Sequence, residues 1–328
     1  MNQVCEQFAR GDFSSLASAF GDAGLNVLQP LEGVLQICAD APRMRLLISV
    51  GVHGDETAPI EIMALLMDEL SRTPQQLGVD LMLVIGNIEA IRQARRFMDI
   101  DLNRLFTPGR TQYNETREAQ RADQLMQATA QFFAANATCW HLDLHTAIRA
   151  SVYPTFAIVP GTYNDHFVRW LGSAGIQAAV LNPDASVTFS SYTCAHLGAV
   201  SCTAELGQIG ALGNNDLSQF STTRHALHDL LRSGLAIPAG RSESAPLVFR
   251  VAQELIKRSD AFQLNFDGST QNFTRFEPGE LIATDGELIY SAGDAPEYVL
   301  FPNQNVRNGL RAGLMVVRIE VPAKNQNE

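Results

Sequence analysis

Apolar residues in the middle of the chain come in short unbroken runs, separated by longer stretches of helical period. Leu46-Leu47-Ile48-Ser49-Val50-Gly51-Val52 reads as a strand ending at Val52, Ile60 to Leu70 as a helix, and Leu81-Met82-Leu83-Val84-Ile85 as a second strand. Thr116 to Phe133 carries another helical pattern, and Cys139 to Ala147 alternates polar and apolar residues with the two-residue period of a strand. This alternation, from residue 43 to about 235, predicts an α/β architecture: a largely parallel sheet with helices on both faces.

The texture changes after Ser233-Gly234-Leu235-Ala236-Ile237-Pro238-Ala239-Gly240, which breaks the last helix and reads as a linker. Beyond it lie short runs such as Leu247-Val248-Phe249-Arg250-Val251 and Glu297-Tyr298-Val299-Leu300-Phe301. The run Leu281-Ile282-Ala283-Thr284 meets Glu287-Leu288-Ile289-Tyr290 across Asp285-Gly286, a strong hairpin pattern. The predicted division is an α/β domain over residues 1–238, weakly defined over 1–42, and a small all-β domain over 239–328.

Composition narrows the setting. A chain of 328 residues with 46% hydrophobic and 18% charged residues can fill one large core and a smaller one. A net charge of −11 argues against nucleic acid and anionic membrane surfaces as partners, so an anionic small-molecule substrate needs a locally positive pocket. No apolar run approaches the ~18 residues of a membrane span. The start, Met1 to Arg10, lacks the basic and apolar segments of a signal peptide. The five cysteines form no Cys-x-x-Cys pair, which fits free thiols in a reducing cytoplasm. Oligomeric state is left open by these features.

The chemistry begins at His53-Gly54-Asp55-Glu56, directly after an apolar strand and therefore on the sheet rim where open α/β folds bind ligands. An imidazole nitrogen and a carboxylate oxygen suit zinc at roughly 2.0–2.2 Å, and catalytic zinc commonly takes three protein ligands and a water. Alone, the spacing more often describes a loop histidine beside a helix-start glutamate stabilised by the helix dipole. A third ligand decides between these readings. On the strand Cys139 to Ala147, His141, Asp143 and His145 share a face. His145 is the favoured ligand because it sits at the C-terminal rim, whereas His141, one step inside, reads as a satisfied core histidine. Glu205 ends another apolar strand, Ala199 to Ala204, as either a rim charge or a placed carboxylate.

Four stretches carry a wider likeness: Gly51 to Pro59, Asp101-Leu102-Asn103-Arg104, Asp143-Leu144-His145-Thr146-Ala147-Ile148-Arg149, and Glu205-Leu206-Gly207. In order and spacing the chain resembles the succinylglutamate desuccinylase and aspartoacylase family of zinc carboxypeptidase-like enzymes. Tyr298 to Asn303 and Gly309 to Met315 extend the likeness nearly end to end. The resemblance implies one zinc per chain on His53, Glu56 and His145, with Glu205 as the base and then acid of an amide hydrolysis. It implies Arg96 at the scissile carbonyl, and Asn103 with Arg104 on a substrate carboxylate, a task that suits the planar guanidinium. Asp101 is expected to orient His53 from behind, and Arg149 to meet a second substrate carboxylate. The substrate implied is N2-succinyl-L-glutamate, at the last step of arginine breakdown by the succinyltransferase route. Alternatives are a related deacylase such as aspartoacylase, a peptide-cleaving carboxypeptidase, and a non-catalytic zinc protein, which the presence of Glu205 disfavours. His166, His225 and His228 read as surface or helix residues, while His196, just before the strand of Glu205, is a candidate for substrate contact.

Overall fold

The apolar runs pair into one twisted sheet of twelve strands, seen in a computed structural model that describes residues 3–41, 43–134, 138–184, 186–235 and 245–320. Helices α1 (Gln3–Ala9) and α2 (Ser14–Asp22) precede a hairpin of β1 (Asn26–Leu31) and β2 (Val34–Cys38). Then follow β3 (Arg45–Val50), α3 (Ala58–Ser71), β4 (Asp80–Ile85), α4 (Ile88–Arg92), α5 (Arg117–Phe133), β5 (Cys139–Ala147) and β6 (Phe156–Pro160). The α/β part closes with α6 (Asp165–Ser173), β7 (Ala178–Asn182), α7 (Phe189–Leu197), β8 (Val200–Gln208) and α8 (Ser221–Ser233). The C-terminal part is β9 (Leu247–Ile256), β10 (Phe262–Leu264), β11 (Arg275–Phe276), β12 (Leu281–Asp285), β13 (Leu288–Ser291), β14 (Glu297–Leu300) and β15 (Arg311–Ile319).

The order across the large sheet is β1-β2-β4-β3-β5-β8-β6-β7-β9-β15-β14-β11. Strands β4, β3, β5 and β8 run parallel, as the alternation predicts; β6 turns antiparallel against β8 before β6, β7 and β9 resume parallel pairing. All six residues of β4 and all nine of β5 are buried, as expected of strands covered by helices on both faces. One face packs Leu46, Leu81 and Trp140 of the strands with Phe167 of α6 and residues of α3 and α8, and the other packs Leu47 and Met82 with Phe132 of α5 and Phe189 of α7.

The all-β C-terminal part is joined to the main sheet, which its sequence texture does not reveal. Strand β9 pairs in parallel with β7, from Ala178 opposite Leu247 to Leu181 opposite Arg250, so one backbone ladder runs across the junction. Only β10, β12 and β13 form a separate small sheet. Helix α8 ends at Ser233 with Gly234 at φ 59. Residues 236–244, which hold most of the predicted linker and the boundary at 238, lie outside the described residues.

Two local differences from the pattern have physical causes. Strand β3 stops at Val50 because Gly51 takes φ 63, a left-handed turn that lifts the chain off the sheet before His53. In the predicted hairpin Asp285 pairs with Leu288, so Gly286-Glu287 occupy the turn instead of Asp285-Gly286. The Asp285 carboxylate instead accepts hydrogen bonds from Arg258 N at 2.5 Å and Ser259 N at 3.0 Å.

The β3–α3 turn leaves no room at Gly54, where an added Cβ would stand 2.3 Å from the Ala90 carbonyl carbon and 2.4 Å from Ile91 N. Both neighbours are backbone. Gly54→Ala is therefore expected to lower stability by about 1–3 kcal/mol and to displace His53. Thermal melting and metal content of the purified variant check this; an unchanged melting point with full metal would refute it.

Candidate metal centre and active site

The parallel arrangement of β3, β5 and β8 brings their C-terminal ends to one rim. The β3–α3 turn carries His53 and Glu56, β5 carries His145, and Glu205 of β8 stands opposite His145 in register. All four side chains are buried. His53 Nδ1 lies 2.7 Å from Glu56 Oε1, and His145 Nδ1 lies 2.8 Å from Glu56 Oε2 and 3.2 Å from His53 Nδ1. Donor atoms of His53, Glu56 and His145 thus fall within 4.8 Å of one another, a group that can hold a metal ion.

Each histidine has a carboxylate behind it. His53 Nε2 is 2.9 Å from Asp101 Oδ1, and His145 Nε2 is 3.0 Å from Asp143 Oδ2, the latter a Coulombic contact that lacks hydrogen-bond alignment. A carboxylate on the far nitrogen turns the near nitrogen toward the metal position, the usual arrangement around a metal-bound histidine. Asp101 is held by Asn103 N at 2.9 Å, and Asp143 by Ser49 Oγ at 2.5 Å. Asp143 was not singled out for a role from the sequence, although its two-residue spacing from His145 places both on one strand face.

Charge explains the ionisation of this group. Burial opposes a charged His145, but Asp143 and Glu56 outweigh it and hold its pKa well up. Burial likewise opposes a charged Glu56, yet His53 and His145 bring its pKa well below the ordinary value. Glu205 has no such partner: burial, reinforced by Glu56, pushes it up to about 7 against the pull of His145, His53 and Arg96, and its Oε2 has no hydrogen-bond partner. His141 is the contrast. It bonds Ser49 Oγ at 2.8 Å and Thr193 Oγ1 at 2.9 Å, and burial drives it down to about 4, as suits a neutral core residue.

The arginines divide into two groups. Arg96 donates to Glu56 Oε1 at 2.7 Å and lies 3.2 Å from His53 Nε2. Asn103 is buried, and its Oδ1 accepts from Phe189 N at 2.8 Å, which fixes the amide at the start of α7. Arg104, half exposed, donates to Asn103 O at 2.9 Å and stands 3.7 Å from Asp101. Burial, then the nearby Arg104 charge, lower the pKa of Arg311 in the C-terminal part. Arg149 is engaged elsewhere: NH1 donates to Gly268 O at 2.5 Å and Thr270 O at 2.8 Å, and NH2 donates to Pro302 O at 2.8 Å. His196 is exposed on α7 against the Tyr192 ring.

The comparisons with known proteins fit this geometry. Residues 42–231 match the family model of the succinylglutamate desuccinylase/aspartoacylase catalytic domain. The chain belongs to that family. Residues 244–319 match its AstE/AspA barrel-sandwich hybrid domain. The chain is 42% identical over 285 residues to succinylglutamate desuccinylase of Burkholderia cenocepacia, covering 84% of this chain and 82% of that one. The enzyme of the same name from Erwinia tasmaniensis is 42% identical over 309 residues, covering 92% and 91%. Among solved structures, succinylglutamate desuccinylase from Chromobacterium violaceum superposes with a TM-score of 0.80 at 36% identity, over 94% of this chain and 99% of that one. Murine aminoacylase 3 shares the fold alone, with a TM-score of 0.54 at 21% identity over 86% of this chain and 97% of that one.

The two histidines of β5 separate ligand from core. His145→Ala is expected to abolish tight metal binding. His141→Ala should keep the metal and lose about 1–3 kcal/mol of stability through the loss of its buried hydrogen bonds to Ser49 and Thr193. Metal analysis of both variants beside their unfolding curves decides this; metal lost from the His141 variant alone would reverse the assignment.

Proposed function

We propose that this chain hydrolyses the amide bond of N2-succinyl-L-glutamate to succinate and L-glutamate, using one zinc ion held by His53, Glu56 and His145. The observation that carries the reading is the unpaired, proton-poised Glu205 beside a three-donor metal group. The relatives named for this reaction at 42% identity support the choice of substrate. The donor set fits zinc, whose tetrahedral ligands at roughly 2.1 Å stand about 3.4 Å apart. The present separations of 2.7, 2.8 and 3.2 Å need only a small dilation.

When bound, zinc supplies Lewis acidity to a water and to the scissile carbonyl. Glu205 then accepts the water's proton and delivers it to the leaving nitrogen, and a carboxyl group poised near neutrality suits both transfers. Arg96 already borders the metal group and is placed to turn toward the oxyanion as it forms. Asn103 and Arg104 receive a substrate carboxylate. We assign a second carboxylate to Arg311 ahead of Arg149, because three backbone carbonyls occupy the Arg149 guanidinium whereas Arg311 has a single carboxylate partner, Glu254 at 3.2 Å, and feels the charge of Arg104. An anion between Arg104 and Arg311 relieves their repulsion, which explains how a protein of net charge −11 receives an anionic substrate. No described helix is long and apolar enough to cross a membrane; a place in the cytoplasm, on the succinyltransferase route of arginine breakdown, completes the reading. A panel of N-succinylglutamate, N-acetylaspartate and other N-acyl amino acids tests it, and preference for N-acetylaspartate would favour the aspartoacylase alternative.

Glu205→Gln keeps shape but removes the proton acceptor, so zinc should remain while turnover falls at least ~10²–10⁴-fold. A variant with more than about a tenth of normal turnover would remove Glu205 from the chemistry.

The arginines should separate binding from catalysis. Arg104→Ala is expected mainly to raise KM, and Arg96→Ala mainly to lower kcat. Wild type should discriminate strongly against the glutamate α-amide analogue of the substrate, and Arg104→Ala much less. Equal discrimination by both would show that Arg104 does not touch that carboxylate.

A further inference from the structure

Glu118, in the first turn of α5, is a buried carboxylate with no part in the roles above. Its Oε1 accepts from Met98 N at 2.6 Å, Asp99 N at 3.3 Å and Asn87 Nδ2 at 3.1 Å. Its Oε2 accepts from Asp99 N at 3.2 Å and Ile100 N at 3.4 Å. Three successive backbone N–H groups therefore converge on one carboxylate, an anion-receiving nest filled by the protein's own side chain. The attachment is reciprocal, since Asp99 Oδ2 accepts from Arg117 N at 3.1 Å at the start of α5.

The nest sits between the two residues of this loop that reach the metal group. Arg96, two positions before it, bonds Glu56, and Asp101, one position after it, bonds His53. Between α4 and the short turn at Leu102–Arg104 the loop has no helix or strand to hold it, and it leaves α4 through Ala94 at φ 50, a conformation a non-glycine residue adopts only when its surroundings enforce it. Arg96 O accepts from Gly54 N at 3.1 Å, which fixes one end of the loop beside His53. Glu118 fixes the rest.

We infer that Glu118 is a positioning residue for the reaction: by gathering the amides of residues 98–100 it sets Arg96 against Glu56 and Asp101 behind His53. The kinetic consequence rests on the proposed role of Arg96; the consequence for metal binding does not. In Glu118→Gln one acceptor oxygen becomes an NH2 group that faces a backbone N–H whichever way the amide turns.

The test measures zinc affinity by chelator competition, kcat and KM on N-succinylglutamate, and the unfolding midpoint, for Glu118→Gln alone and combined with Asp101→Asn or Arg96→Ala. Zinc affinity should fall about 10–100-fold, the usual consequence of disturbing a histidine's outer partner. The kcat should fall while KM changes little; the unfolding midpoint should fall as well, because a buried N–H is left without an acceptor, and it serves only to show that the variant is folded under the assay conditions. In the Asp101→Asn background, where the charge behind His53 is already removed, the further loss of zinc affinity should be under about threefold, and in the Arg96→Ala background, where the guanidinium is gone, the further loss of kcat likewise. Losses that multiply in the double variants, or unchanged zinc affinity and kcat in the single one, would overturn the inference. Should the glutamine variant fail to fold, Glu118→Asp, which keeps the charge but shortens its reach, is held to the same criteria. A wild type inert toward N-succinylglutamate would sink the proposed reaction, and the zinc measurements would still decide the role of Glu118.

Discussion

Burying several carboxylates at one place is the constraint on which the rest of this structure depends. Asp101, His53, Glu56, His145 and Asp143 form a chain in which acid and imidazole alternate, with successive contacts of 2.9, 2.7, 2.8 and 3.0 Å. An isolated buried carboxylate costs several kcal/mol in lost hydration, so every member must find a partner of opposite character or a cation. The chain meets that demand at both ends, through Asn103 N on Asp101 and Ser49 Oγ on Asp143. Glu205 alone stands outside the alternation, which is why its proton is held more tightly than that of any other carboxylate in the group. The paired acids and Glu205, the proposed proton carrier, are thus told apart by what each one touches.

The fold serves this arrangement through strand direction. Parallel β3, β5 and β8 deliver His53, His145 and Glu205 to the same rim only because all three end there; an antiparallel neighbour in that position would have sent its terminal residue to the opposite edge. Antiparallel β6 comes next to β8, beyond the strands that carry these residues, where direction no longer matters to the site. The C-terminal part then joins by continuing the ladder from β7 to β9, and the three Arg149 hydrogen bonds tie its loops at Gly268, Thr270 and Pro302 to the end of β5. Arg311 reaches the neighbourhood of Arg104 by this route.

Much of this was legible in the residues, and the rest was hidden for identifiable reasons. The buried strands β4 and β5 and the helices α3 and α5 announce themselves by periodicity, and the metal group by residue types that follow apolar runs. Asp143 was readable from its spacing but was not distinguished from His141, since a shared strand face does not say which residue meets the rim. Glu118 left no trace. Apart from Asn87 Nδ2, its partners are backbone N–H groups some twenty positions away, which every residue but proline offers, so no pattern of side chains marks its grip on the loop. The docking of β9 on β7 is hidden for the same reason, because a ladder between distant strands is backbone chemistry.

Arginine placement reconciles the protein's field with its proposed substrate. Several exposed arginines sit in simple surface pairs, such as Arg72 with Asp68 and Arg275 with Glu277, which screening and side-chain entropy leave nearly neutral in effect. Arg96 and Arg104 stand instead beside Glu56 and Asp101, and Arg311, paired with Glu254, lies near enough to Arg104 to feel its charge. At physiological salt the screening length is about 8 Å, so an approaching anion feels the overall −11 only weakly once it is near these guanidinium groups. On the proposed reading the net charge and the arginines near Asp101 therefore act at different ranges, the first on distant anions and the second on a substrate carboxylate close to the site.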